Sequence, residues 1–249
     1  MELSVCGPGP AEPFLGARDL FETEHTLERP VTVRIRDNPD ERTRVSHDDA
    51  GHHLTISRQA ATSAMARELA IHEFAHMHRD EQAHPSHTQS TAEAIFLALA
   101  GRSVERRKLT HCYQIANHMK DIYADDVTLD VTPPDKLVAF LESGLATALA
   151  DRPEDPPTWT RRTPASDPDI TAVNAAFALA MVERHDLVGE DHRLYDLAHA
   201  AAADAPGVSL SAFKRRFRSL AADPDESEYR KALVDATRAY VSGGERAAD

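Results

Sequence analysis

Long apolar runs are missing from this sequence. No stretch of about 18 uninterrupted apolar residues occurs, so no transmembrane helix is expected. The opening "MELSVCGPGPAEPF" lacks a basic segment and a long apolar core, which argues against a secretory signal. Cysteine is scarce. Cys6 and Cys112 lie far apart and read as reduced thiols of a cytoplasmic protein rather than a disulfide framework. Lysines are few, and 41 acidic residues outweigh 28 basic ones, for a net charge of −13. Phosphate contacts need clustered cations, so this balance argues against nucleic acid as a partner. It suits a protein kept soluble by self-repulsion, as in halophiles. No internal repeat is visible.

What remains is globular in character. The 249 residues are 41% apolar and 28% charged, enough to bury a real core in one large domain or two small ones. The first 20 residues read as an irregular lead-in. "VTVRIR" (Val31 to Arg36) alternates apolar and polar residues and reads as a strand. "DNPDERTR" reads as a loop, and "HHLTIS" (His52 to Ser57) as a second strand after the turn "DDAG". From Thr62 to Gln82 there is no Gly or Pro, and helix formers dominate, so a helix is expected, capped by Thr62 or Ser63 and closed before Pro85. Further helices are expected over Thr91 to Ala100 with Gly101 as its stop, over Glu105 to Asp126, and from Pro134. Five prolines between Asp151 and Asp169 mark an extended linker. Residues 170–249 read as an Ala-rich helical region in three or four pieces. The expected domains are therefore 1–150, a linker over 151–169, and 170–249.

The helix over 62–82 carries "HEFAH", His72 to His76. Residues four apart lie one turn apart on one helix face, so two imidazoles there can share one Zn²⁺. Glu73 is placed to take a proton from an activated water. Two histidines also fall four apart by accident, and this chain has 14. The uninterrupted helix, the strand before it and the apolar residues Leu69, Ala70 and Phe74 favour the metal reading.

A catalytic zinc needs a third protein ligand. "HCYQIANHMKDIYADD" (His111 to Asp126) sets Asn117, Asp121 and Asp125 at steps of four, on one face. Asp121 ranks first as ligand. Asp125 ranks as the carboxylate that orients a ligating histidine through its other ring nitrogen. His118 is the alternative ligand and Glu93 a third option, although Glu93 also suits a solvated helix start. The metzincin pattern is absent. His78, His84 and His87 read as surface or loop residues. Tyr123 and Cys112 read as core residues before they read as an oxyanion donor and a soft ligand. "SAFKRRFRSL" carries Lys214, Arg215, Arg216 and Arg218, either a phosphate-binding helix or, more in keeping with the overall charge, an amphipathic helix with a solvated face.

At "HEFAH" the sequence resembles the zincin metallopeptidases. Over about Leu54 to Ala150 it resembles more closely an uncharacterised family of haloarchaeal proteins, a domain of unknown function. The zincin resemblance implies His72 and His76 as ligands, Glu73 as general base, a strand along the cleft and a third ligand on a later helix. Gluzincins use Glu for that ligand, where this chain offers Asp121. The expected fold class is α+β and mainly helical: a small N-terminal sheet, a zincin-like helical core and a further C-terminal helical region. The expected function is a cytoplasmic zinc-dependent metallopeptidase acting on a peptide or protein substrate, with "HHLTIS" available to pair with that substrate. Another divalent metal would suit the same ligands. The rival expectations are a structural metal site without catalysis, and a helical regulatory or interaction module.

Overall fold

A computed structural model describes residues 1–151 and 167–246, with side chains described up to Gly243. The chain is mainly helical with one small sheet near its N-terminus. Two compact units interleave along the sequence. The first is Met1–Thr88 with Tyr123–Lys136, and the second is Gln89–Ile122 with the chain from Leu137 onward.

In the first unit, β1 (Leu3–Cys6), β2 (Val31–Arg36), β3 (Arg44–Asp48) and β4 (Gly51–Ser57) form a sheet in the order β1-β2-β4-β3. β1, β2 and β4 run parallel, and β3 is antiparallel to β4. The first 20 residues are thus not an irregular lead-in. They hold β1 and helix α1 (Glu12–Phe21), whose Phe14, Ala17 and Phe21 recur at helical spacing and are fully buried. The Gly and Pro residues between Gly7 and Pro13 hide that period in the sequence. The β3–β4 turn relies on Gly51, at φ 135°, where a Cβ would meet the Pro30 carbonyl oxygen at 2.2 Å. Only glycine fits such a position without strain. This turn sets the register that places His47 directly opposite His52.

The helix expected over 62–82 begins only at Ala66, and a separate short helix precedes it. α2 (Arg58–Ala61) is capped by the Ser57 hydroxyl, which accepts from the Ala60 N–H at 3.1 Å. Thr62 donates its hydroxyl back to the Arg58 carbonyl, so it closes α2 instead of capping α3. α3 (Ala66–Glu81) buries Ala70, Ile71, Phe74, Ala75 and Met77 and leaves His72, Glu73, His76 and Asp80 half-buried. Pro85 does not merely follow a helix end. It starts the short α4 (Pro85–Thr88).

α3 stops in a Schellman motif: the Ala83 N–H donates to the Asp80 carbonyl at 2.9 Å, and the His84 N–H to the Arg79 carbonyl at 3.0 Å. Ala83 sits at φ 51°. α6 (Arg106–Val131) runs five residues beyond the expected Asp126, stopping short of Pro133 and Pro134. Its last turns lay Ala124, Val127 and Val131 on the core formed by the sheet, α1 and α3.

The second unit is helical among the described residues. It holds α5 (Thr91–Leu99), the first part of α6, α7 (Pro134–Ala150) from Leu137, α8 (Pro168–Arg184), α9 (Arg193–Ala203), α10 (Leu210–Arg218) and α11 (Glu226–Arg246). α8 is apolar nearly all round and is buried along its length, with α9 and α10 packed on it. Of the Pro-rich stretch, residues 152–166 lie outside the described residues, and Pro168 and Asp169 are the first turn of α8, capped by Asp167. No described helix is long and apolar enough to cross a membrane.

Candidate metal centre

α3 puts His72 and His76 on one face because four residues make just over one turn. Their Nε2 atoms face each other at 3.1 Å. Two nitrogens each about 2.0–2.1 Å from one tetrahedral ion would lie about 3.3–3.4 Å apart. The pair is therefore spaced to share a cation with little movement.

The other ring nitrogens decide what the facing atoms carry. His72 Nδ1 lies 2.7 Å from Oδ1 of Asp125, which is 3% exposed. A carboxylate accepts only, so Nδ1 holds the proton and Nε2 presents its lone pair. His76 Nδ1 lies 2.8 Å from His87 Nε2. His87 Nδ1 in turn lies 2.7 Å from the Ser86 hydroxyl, which lies 2.7 Å from His84 Nδ1. A consistent proton order runs down this chain: His76 donates to His87, His87 to Ser86, and Ser86 to His84. In that order both Nε2 lone pairs point at each other, an arrangement that a cation relieves.

Asp121 stands one turn before Asp125 on the unbroken α6 helix. The four-residue step sets both carboxylates on one face of that helix. Two imidazoles and a carboxylate are a donor set that zinc accepts. Glu73 follows His72 in the chain. It is half-buried, and its carboxylate has no hydrogen-bond or ion-pair partner among the described residues.

The remaining site residues are placed elsewhere. His118 Nε2 lies 2.7 Å from the Asn174 side-chain oxygen, and its ring stacks on Phe177 at 4.5 Å. Its Nδ1 lies 3.4 Å from Asp121 Oδ2. Glu93 is exposed in the first turn of α5. Cys112 is buried, and burial pushes its thiol up to about 11. Tyr123 is fully buried with its ring 4.6 Å from that of His84.

Two expectations need correction. His84 and His87 are not loose surface residues: His84 is 7% exposed, and His87 touches His76. The αL turn at Ala83 folds the chain back, and periodicity carries no signal for that. β4 cannot pair with a substrate, because β2 and β3 occupy both its edges. Of the two strands of the β3–β4 hairpin, β3 is the edge.

On α10, Lys214 and Arg218 both pair with Glu183, at 2.6 and 3.1 Å, and Phe213 and Phe217 are buried. That is an amphipathic helix with half of its basic charge already matched.

The chain belongs to a family of unknown function (DUF5781), whose model matches residues 1–242. No curated protein and no solved structure matches it. The resemblance to zincins thus rests on "HEFAH" alone.

Proposed function

We propose that this member of the family is a zinc-dependent hydrolase of peptide bonds, held in the cytoplasm, with His72, His76 and Asp121 as metal ligands and Glu73 as general base. One observation carries the reading: the two Nε2 atoms face each other at 3.1 Å while each ring is anchored through its Nδ1. Bound zinc would polarise a carbonyl and acidify a water molecule.

The protein's own groups do the rest. Asp125 and His87 fix both rings in the ligating tautomer. Glu73, without a competing partner, takes the proton of the attacking water and returns it to the departing amine. An extended peptide would add to the sheet at β3, an edge strand, rather than at β4. A purely structural centre gives the unpartnered Glu73 no task. A binding module built on α10 would have to do without Lys214 and Arg218. The unpaired cysteines, Cys6 and Cys112, suit a reducing compartment.

The test is hydrolysis of a quenched-fluorescent peptide library by the full chain, with zinc measured by elemental analysis. Wild type should carry zinc and cleave. Glu73→Gln should keep the zinc and lose cleavage by about 10²–10⁴-fold. A wild type that takes up no zinc at His72 and His76, or a Glu73→Gln protein that cleaves like wild type, would overturn the reading.

A further inference from the structure

Three other clusters of polar side chains stand out. His111, Asp167 and Asp169 offer ligand atoms in one group, but Arg107 already meets both carboxylates, at 2.6 Å to Asp167 Oδ1 and 2.9 Å to Asp169. Its guanidinium supplies the positive charge that a metal would bring. The exposed Arg215 and Arg216 line an open depression on α10 with nothing to identify a ligand. The third cluster is His47, His52 and Asp80, in the first unit, and it has no such competitor of equal strength.

His47 is on β3, His52 on β4 and Asp80 on α3, one turn beyond His76. His52 is fully buried. Its Nε2 lies 3.0 Å from Oε1 of Glu81. The N–H groups of Glu28 and Arg29 donate to the Glu81 carboxylate, at 2.9 and 2.8 Å. Glu81 therefore accepts from Nε2, and His52 turns the lone pair of Nδ1 outward. That lone pair faces His47 Nδ1 at 2.6 Å, with the rings at 89°.

Asp80 completes the group: each of the three residues offers an atom within 4.8 Å of the others. A carboxylate behind one ring, a second imidazole in front of it and a further carboxylate beside them repeat the logic of the His72–His76 pair.

We infer that His47, His52 and Asp80 form a second divalent-cation site, taking zinc or a cation of similar preference, which fastens the edge strand β3 to α3. The site does not depend on the hydrolase reading. Without a cation, His47 donates a plain hydrogen bond to His52, and Asp80 Oδ2 stays 3.7 Å from His47 Nδ1. Arg29 then holds Asp80 only loosely, at 3.4 Å. A cation draws Asp80 in and displaces that contact. Imidazole and carboxylate donors suit zinc, cobalt and nickel better than calcium or magnesium.

The experiment is zinc titration of the full chain, followed by elemental analysis after dialysis and by hydrogen exchange of residues 44–48. Wild type should bind two zinc ions per chain. His47→Gln and Asp80→Asn should each weaken one of them at least tenfold, and His72→Ala with His76→Ala should remove the other. Zinc should slow amide exchange in β3, and this slowing should be lost in His47→Gln and kept in His72→Ala. His47 and Asp80 are not fully buried, so these variants avoid the risk of emptying the core at His52. A chain that binds one zinc, lost with His72 and His76 and unaffected by His47→Gln or Asp80→Asn, would overturn this inference and leave the hydrolase reading intact. A single zinc lost with His47 and kept without His72 and His76 would support the second site and sink the hydrolase reading.

Discussion

Asp125 Oδ1 lies 2.7 Å from Nδ1 of His72, across 53 residues of sequence, and almost no solvent reaches the carboxylate. A buried carboxylate behind an imidazole fixes both the tautomer and the tilt of the ring. Asp125→Asn keeps the shape and removes the charge. Zinc affinity of the His72–His76 centre should fall about 10–100-fold, with the unfolding midpoint close to that of wild type. Competition with a chromophoric chelator measures this, and unchanged affinity would mean that Asp125 serves only the core.

The end of α3 gives a second prediction, on stability. Ala83 holds φ 51°, where an L-residue crowds its own carbonyl. Ala83→Gly should stabilise the protein by about 0.5–1 kcal/mol, because glycine enters this conformation without that clash. The urea midpoint should rise, and a fall would show that the methyl group contributes packing that outweighs the strain.

Asp167 caps α8 and accepts from Arg107, with His111 beside it. Burial pushes its carboxyl up, but the Arg107 hydrogen bonds and the neighbouring His111 prevail and hold it well below the usual carboxylate range. A depressed folded value means that its stabilisation is complete above the unfolded value of about 3.8 and is lost as the pH falls through the folded one. Asp167→Asn should cost about 2 kcal/mol at pH 7, and the difference from wild type should shrink below about pH 3.8. Denaturant titrations across the acid range test it. A gap that stays constant with pH would remove the ionic part of the explanation.

The two cysteines should separate cleanly. Cys6 is exposed on β1, whereas Cys112 is buried with its thiol pushed up to about 11. A thiol reagent at pH 8 should label one site in the native protein and two in denaturant, and mass mapping should find Cys6 first. Rapid native labelling of Cys112 would indicate that this part of α6 opens readily.

The parts of the fold readable in the sequence were those whose signal is local. β2 alternates apolar and polar residues, α5 is preceded by Ser90 and followed by Gly101, and α7 starts at Pro134. α1 was hidden because the glycines and prolines around Gly7 to Pro13 mask the spacing of Phe14, Ala17 and Phe21. The break before Ala66 was hidden because Thr62 to Met65 are ordinary helix residues, and only the Thr62 hydroxyl closing α2 marks it. At the site, the spacing of His72 and His76, and of Asp121 and Asp125, could be read as helix geometry. The approach of His87 to His76 could not, since it follows from one αL residue. The pairing of His47 with His52 follows from the register set at Gly51, which no periodicity reports.

The shared helix also has a bearing on synthesis. The first compact unit takes Tyr123–Lys136 from beyond an intervening segment of the second. On the ribosome, His72 therefore emerges before Asp125, the carboxylate that orients its ring. At about 5–20 residues per second the interval between His76 and Asp125 lasts roughly 2–10 s. Through that interval the histidine pair has no Asp121 or Asp125, and the sheet lacks the apolar cover of Ala124, Val127 and Val131. Completion of the first unit thus waits on translation of the last turns of α6.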